Sequence, residues 1–403
     1  MNKIRVLKNP VQEYAWGSKT VIQPFLGESG SRYKRIAELW LGAHPLNPSS
    51  VLINKNWEPL DQFISRDPEL ILGKGVSDKF FCRLPFLFKV LAADKPLSIQ
   101  VHPDLEQARK GFEQENRTGV SVNASNRNYR DSNRKHEILF ALTPFVALKG
   151  FRKVEEIIQL MDKAFYPVIS TEIAQLKKMP DASGLKRFYS SIMTMDRSRK
   201  ELLVSKAAGI DENQAAADPA FSWMIKLSRE YPGDTGMVSP LIFNLLHLKP
   251  GEAIFLNAGE PHAYLHGAGI ELMGNSDNVL RGGLTFKHID VMEFLKITNF
   301  NPEPVSLISP QRRSDSEMVF LTPAEEFELS MIMVDDGSPF QSDLNRSVEL
   351  MICMEGKADI IDMRSAEYFA LKKGNSVIIP SAVTGYRIKG NATLYKASVP
   401  LSS

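Results

Sequence analysis

The chain has 403 residues, 43% of them hydrophobic and 24% charged. Those are ordinary proportions for a folded globular protein, and the length exceeds what one core organises, so two or three domains are expected. A formal net charge of +2 gives no field to draw nucleic acid or an anionic membrane, and neither is expected as a partner. An anionic ligand would have to be caught by a local cluster.

The two cysteines, Cys82 and Cys353, lie far apart and indicate neither a zinc knuckle nor a disulfide framework. The N-terminus has no signal-peptide core, and no apolar run reaches membrane-spanning length. A reducing, cytoplasmic setting is expected.

Residues 1–60 read as short strands and turns. Glu13-Tyr-Ala-Trp16-Gly-Ser and Ala37-Glu-Leu-Trp-Leu-Gly-Ala-His-Pro set aromatic residues beside polar ones, with Gly17 and Gly42 as turn residues. Such stretches either end strands or line a polar cavity. Two apolar runs follow between residues 84 and 102, joined by Asp94-Lys95-Pro96. They predict a hairpin of buried strands. In the second run Gln100 and His102 are two apart, so an extended strand points both to one face. An amide oxygen and an imidazole then meet at one point, where a metal ion or a polar substrate could sit. Alone, such a pair marks a buried, hydrogen-bonded histidine more readily than a site.

Residues 113–135 turn strongly polar, and a polar stretch of that length inside a domain signals function or disorder. It ends at Lys135-His136-Glu137, ahead of the apolar strand Ile138-Leu-Phe-Ala-Leu. The period then changes. Val154, Ile157, Ile158 and Met161 follow a helix face, and Asp218-Pro219 reads as an N-cap with proline at the first helical position. The expected domains are 1–151 with 236–320, a helical insert at 152–235, and a C-terminal unit at 321–403.

Strands return from residue 239. Leu248–His262 can be laid on Leu371–Gly385, with Leu, Lys and Gly coinciding at the start and short apolar strands after them. That is an internal repeat of one β-unit. Gly251, Gly259 and His262 resemble the second cupin motif, and Gln100-x-His102-x3-Glu106 resembles the first with Gln in place of a His. The fold expected is mainly β with a helical insert: two cupin-type jelly-roll barrels plus an α-helical domain. The C-terminal copy has Gly385 where the first has His262, so it is expected to be a barrel without metal. Two acids compete for the site. Glu106 has the cupin spacing but sits in a solvated helical pattern; Glu137 opens a buried strand. Spacing leaves that choice open.

Six segments in order resemble type I mannose-6-phosphate isomerases. They are the two near Trp16 and Trp40, Leu97-Ser-Ile-Gln-Val-His-Pro, Tyr129-x-Asp-x-Asn-x-Lys-x-Glu137, Gly259-Glu-Pro-His-Ala-Tyr264 and Asp277-Asn-Val-Leu-Arg-Gly-Gly-Leu-Thr285. The resemblance spans essentially the whole chain. It implies a monomeric enzyme that interconverts mannose 6-phosphate and fructose 6-phosphate with one zinc ion per chain. It places the zinc ligands on Gln100, His102, Glu137 and His262, favouring Glu137 over Glu106. It places the catalytic arginine on Arg281 and a lysine beside the ligand acid on Lys135.

These residue types suit the chemistry. Zinc accepts N and O ligands and keeps an open position in catalytic sites, and one carboxylate among neutral ligands leaves it a Lewis acid. A fixed cation can share the charge of the enediolate. Glu271 is a candidate general base, or else a residue orienting a ligand histidine. Trp16, Lys95, Tyr264, Asp277 and Lys287 are candidate substrate contacts, with Lys95, Lys135 and Lys287 considered for the phosphate. The chain departs from the family pattern at Leu105, Arg134 and His136, and Arg134 and His136 are expected to act on substrate affinity. A metal-dependent cupin oxygenase and a non-catalytic sugar-phosphate-binding cupin are the competing readings.

Overall fold

Strands whose residues are apolar in continuous runs must be covered on both faces, and this requirement sets the architecture. A computed structural model describes residues 3–27, 34–210, 215–216 and 218–401. It is mainly β, with two large antiparallel sheets and a block of helices.

The first sheet carries the site. Its central strand, His262–Gly274, pairs with Phe86–Ala93, Glu137–Ala141, Phe145–Phe151 and, at His262, with Ile99–Val101. The strand shifts register between Tyr264 and His266. Gly267 sits at φ 124° just beyond, and a Cβ there would lie 2.7 Å from the Phe145 ring. Only glycine lets the strand bend so closely past Phe145. The bend lets one strand serve two layers that face each other.

Side chains alternate accordingly. Ala263 and Leu265, with Ile99, Val101 and Leu148, join the core shared with the helices. Ala268, Ile270 and Leu272, with Phe86, Phe88, Ile138 and Phe140, join a core shared with the C-terminal half. The residues between them point inward. Leu91, Leu97, Leu139, Phe145, Leu256 and Tyr264 form an inner apolar cluster, and the polar side chains of the site share that interior.

The helical insert forms as its period predicts. Val154–Phe165 buries Val154, Ile157 and Met161. Pro219–Glu230 starts at Asp218, whose side chain accepts from the Ala220 backbone. The second sheet holds the C-terminal strands around Glu349–Asp362 and Tyr386–Ser398; its inner apolar cluster runs from Ile4 to Leu394, with Lys396 and Arg346 buried beside it in ion pairs with Glu317 and Glu349. Gly251 and Gly374, matched in the repeat, adopt the same left-handed turn at φ 94° and 87°. The N-terminal strand Arg5–Lys8 pairs with Ser376–Ile379 on one side and Ser50–Ile53 on the other. The first residues of the chain are thus stitched into the sheet of the last.

The expected hairpin over residues 84–102 does not form. Phe86–Ala93 has both edges taken, by Glu38–Gly42 and by His262–Gly274. After Pro96 the chain crosses to the facing layer, where Ile99–Val101 pairs with Leu280–Gly283. Asp94 and Lys95 do bend the chain, but pairing is decided by the edges left open. No described helix is long and apolar enough to cross a membrane.

Candidate metal and sugar-phosphate site

Gln100 lies directly opposite both His262 and Arg281 in the strand register. Opposed residues of antiparallel strands share a face, so the three point inward together. His102 follows on the same side, fully buried. Glu137 reaches the same point from the adjoining strand. Its Oε1 is 3.2 Å from His102 Nε2, and its Oε2 is 3.5 Å from His262 Nε2. The ligand atoms of His102, Glu137 and His262 lie within 4.8 Å of one another.

The tautomers follow from the neighbours. His102 Nδ1 is 2.8 Å from the carbonyl oxygen of Asn278 and His262 Nδ1 is 3.0 Å from that of Glu260. Each carbonyl can only accept, so each Nδ1 carries the proton and each Nε2 presents its lone pair to the common point. Burial, with Lys135 adding to it, lowers the His102 imidazole to about 3, which keeps it neutral as a ligand must be. Burial alone would raise the Glu137 carboxyl, but Lys135 and His102 together hold it well below the usual range. Two imidazoles and one carboxylate, converging and buried, are the donor set of a zinc site. Gln100 is half-buried and makes a fourth oxygen donor available from the same face.

Lys135 is buried with its Nζ 2.7 Å from Glu137 Oε1 and 3.5 Å from His102 Nε2. Tyr264 donates to Glu137 Oε2 at 3.4 Å. Glu271 is buried farther along the strand of His262 and Tyr264, against Lys89 Nζ at 2.8 Å. Burial raises the Glu271 carboxyl even with Lys89 opposing it. Trp16 packs against the inner cluster that contains Tyr264. Asp277 lies 3.4 Å from His44 Nε2.

Arg281 and Lys287 face a third cation, Arg130. Burial and then Arg130 lower the Arg281 guanidinium. Burial and then Arg281 and Arg130 lower the Lys287 ammonium. None of the three has an ion-pair partner among the described residues. Lys95 is paired with Glu230 of the insert. The competing acid, Glu106, is exposed in the first turn of Leu105–Arg117 and pairs with Lys110; it takes no part in the cluster.

Sequence reasoning missed several residues here. Lys89 sits between Glu271 and Glu38, whose carboxylate also accepts from Trp40 Nε1 at 2.7 Å. The signal was available, since a lysine inside the doubly buried run Phe86–Ala93 requires a buried counter-charge. Burial alone would lower its ammonium, but Glu271 and Glu38 together hold it above its usual value.

Asn278 was also missed and is fully buried. Its Oδ1 accepts from the Arg130 backbone at 2.7 Å, and its Nδ2 donates to the carbonyls of Asp131 and Asn133 at 2.9 Å each. The Asp131 carboxylate answers by accepting from Ser276 Oγ and the Asp277 backbone, both at 2.8 Å. The polar stretch and the turn ahead of Arg281 are therefore one locked unit, and its Asn278 carbonyl orients His102.

Comparison with known proteins agrees with this geometry. Residues 4–154 match the model of the phosphomannose isomerase type I catalytic domain. The chain is 38% identical over 394 residues to a mannose-6-phosphate isomerase of Escherichia coli K12, covering 96% of this chain and 97% of that protein. A crystal structure of a phosphomannose isomerase variant from Salmonella typhimurium superposes with a TM-score of 0.90 at 35% identity, covering 99% of this chain and all of that one. The Salmonella typhimurium mannose 6-phosphate isomerase bound to fructose 6-phosphate and zinc superposes with a TM-score of 0.88 at 35% identity over the same extent. With this identity along nearly its whole length, the chain belongs to the type I mannose-6-phosphate isomerase family.

Proposed function

We propose that this protein is a zinc-dependent aldose–ketose isomerase that interconverts mannose 6-phosphate and fructose 6-phosphate through an enediol. One observation carries the reading: the Nε2 atoms of His102 and His262, freed by carbonyls behind them, converge with Glu137 beside three cations that have no ion-pair partner among the described residues. Zinc and a sugar-phosphate dianion are the two ligands that this arrangement suits.

In this reading Gln100, His102, Glu137 and His262 hold one zinc ion, which when bound polarises the sugar oxygens. Arg130 and Lys287 take the phosphate, where clustered cations gain most from a doubly charged partner. Arg281, opposite Gln100 in register, is close enough to both groups to cover charge on the C1 and C2 oxygens. Its guanidinium is permanently charged and planar, so it serves a developing oxyanion without reorganising. Glu271 moves the proton between C1 and C2, its basicity raised by burial and kept in check by Lys89. Lys135 steadies Glu137. Trp16, Tyr264 and Asp277 line the cavity, with Lys95 at its rim toward the insert.

The fold is proposed as two cupin-type barrels, the catalytic one from 1–151 with 236–320 and a silent one from 321–403, with the insert at 152–235. The unpaired cysteines Cys82 and Cys353 suit a cytoplasmic enzyme, and a site built from one chain suits a monomer. The test is a coupled assay of fructose 6-phosphate formation with and without a chelator. An isomerase loses activity to the chelator and regains it with zinc. An oxygenase would consume oxygen instead, and a binding protein would turn over nothing.

A further inference from the structure

Arg134 stands next to Lys135 but points the other way. Its Nε donates to Glu326 Oε1 at 2.6 Å, and its Nη2 donates to Glu325 Oε2 at 3.0 Å and Glu326 Oε2 at 3.2 Å. Both acids belong to the C-terminal half, and Lys79 adds a further contact to Glu325 at 3.2 Å. This is a fork-to-carboxylate bridge, the strong form of an ion pair. Its Glu326 end is largely buried, at 12% side-chain exposure, so solvent screens it less than a surface pair.

The bridge meets the metal loop at a place where the backbone has no slack. The Gly274 amide donates to the His136 carbonyl at 2.9 Å. A Cβ on Gly274 would lie 2.9 Å from the Arg134 carbonyl oxygen. Three residues after Arg134, Glu137 opens the strand Glu137–Ala141, and the outward side of that strand is also held by the C-terminal half. Phe140 meets Phe320 and Tyr395 edge-on, with ring centres 5.2 and 5.1 Å away. The strand that supplies the carboxylate is therefore fixed from outside at both ends.

Resting on the isomerase reading above, we propose that Arg134 is a positioning residue. Through Glu326 it lets the C-terminal half, which has no metal-type group of His, Cys, Asp or Glu side chains among the described residues, hold Lys135 and Glu137 in register with His102. Asn278 locks the loop only as far as Asn133; beyond it the Gly274 amide holds the His136 carbonyl, and the bridge is what ties Arg134 to the C-terminal half. This changes the expectation for Arg134, whose effect falls on metal retention and kcat and not on KM, because Arg130 and Lys287 are held by other contacts.

The experiment measures the rate at which zinc passes from the loaded enzyme to a chelator, alongside kcat and KM, for Glu326→Gln and for the exchanged pair Arg134→Glu with Glu326→Arg. Glu326→Gln should lose zinc about tenfold faster, the usual cost of weakening a group behind a metal ligand, with lower kcat and KM preserved. The exchanged pair should recover both. Should Glu326→Gln fail to fold, Arg134→Lys keeps the charge, drops the fork and gives the same readout. Zinc loss and kcat equal to the parent in both single variants overturn the proposal while leaving the isomerase reading intact. A parent that binds no zinc overturns both.

Discussion

Three cations that repel one another cost stability unless a ligand offsets it, and at the residue scale this separates their roles. Arg281→Ala should lower kcat by about two to three orders of magnitude, the usual loss for one oxyanion donor, with zinc content and melting temperature unchanged. Arg130→Ala and Lys287→Ala should instead raise KM with kcat kept, as expected where ground and transition states are bound alike. Steady-state kinetics on the three variants checks this, and a pure KM effect for Arg281→Ala would move it to the phosphate. Asn278→Asp is nearly isosteric but turns two donors into an acceptor facing the carbonyls of Asp131 and Asn133. It should release zinc about tenfold faster, read by chelator competition, while retaining a folded circular dichroism spectrum. If it retains zinc like the parent, the lock around His102 is not what orients that ligand.

At the scale of elements, the repeat gives a comparison within one molecule. Gly251 and Gly374 both sit in the left-handed region, but a Cβ on Gly251 meets open space, whereas one on Gly374 would come 2.1 Å from the Phe25 carbonyl oxygen. Gly251→Ala should cost about 1–2 kcal/mol for the backbone conformation alone. Gly374→Ala should cost clearly more, and thermal denaturation of the two variants would reveal equal costs if the contact is irrelevant. The same elements show what was legible in the sequence. The insert was readable because Val154, Ile157 and Met161 carry their own period. His102 was readable because it ends a short β-branched run, and His262 because Gly251 and Gly259 stand before it at a motif's spacing. The partner of Phe86–Ala93 was not, because strand pairing depends on which edges remain free, and that is a property of distant segments. Arg130 and Asn278 escaped notice for a related reason: a polar residue in a polar stretch gains meaning only from what it faces.

Across the whole molecule, the chain uses two sheets with the same local turn to different ends. One interior brings two histidines and a carboxylate to a point; the other is largely apolar and closes its buried charges on one another, Lys396 and Arg346 with Glu317 and Glu349. The two share a core through Phe140, Phe320 and Tyr395, so Phe140→Ala should cost about 3–5 kcal/mol and lower the melting temperature measurably. An unshifted melting curve would mean that the halves do not depend on this contact. The central claim, that the inner cluster is a catalytic zinc site, is tested most directly by stripping the protein of metal and titrating zinc back while following fructose 6-phosphate formation from mannose 6-phosphate. Activity should rise linearly and saturate at one zinc per chain, in the parent and in Glu106→Gln alike, and Glu137→Gln should neither bind the ion nor turn over. A metal-free chain that isomerises at the parent rate, or a Glu137→Gln variant that still saturates at one zinc with full activity, would contradict it.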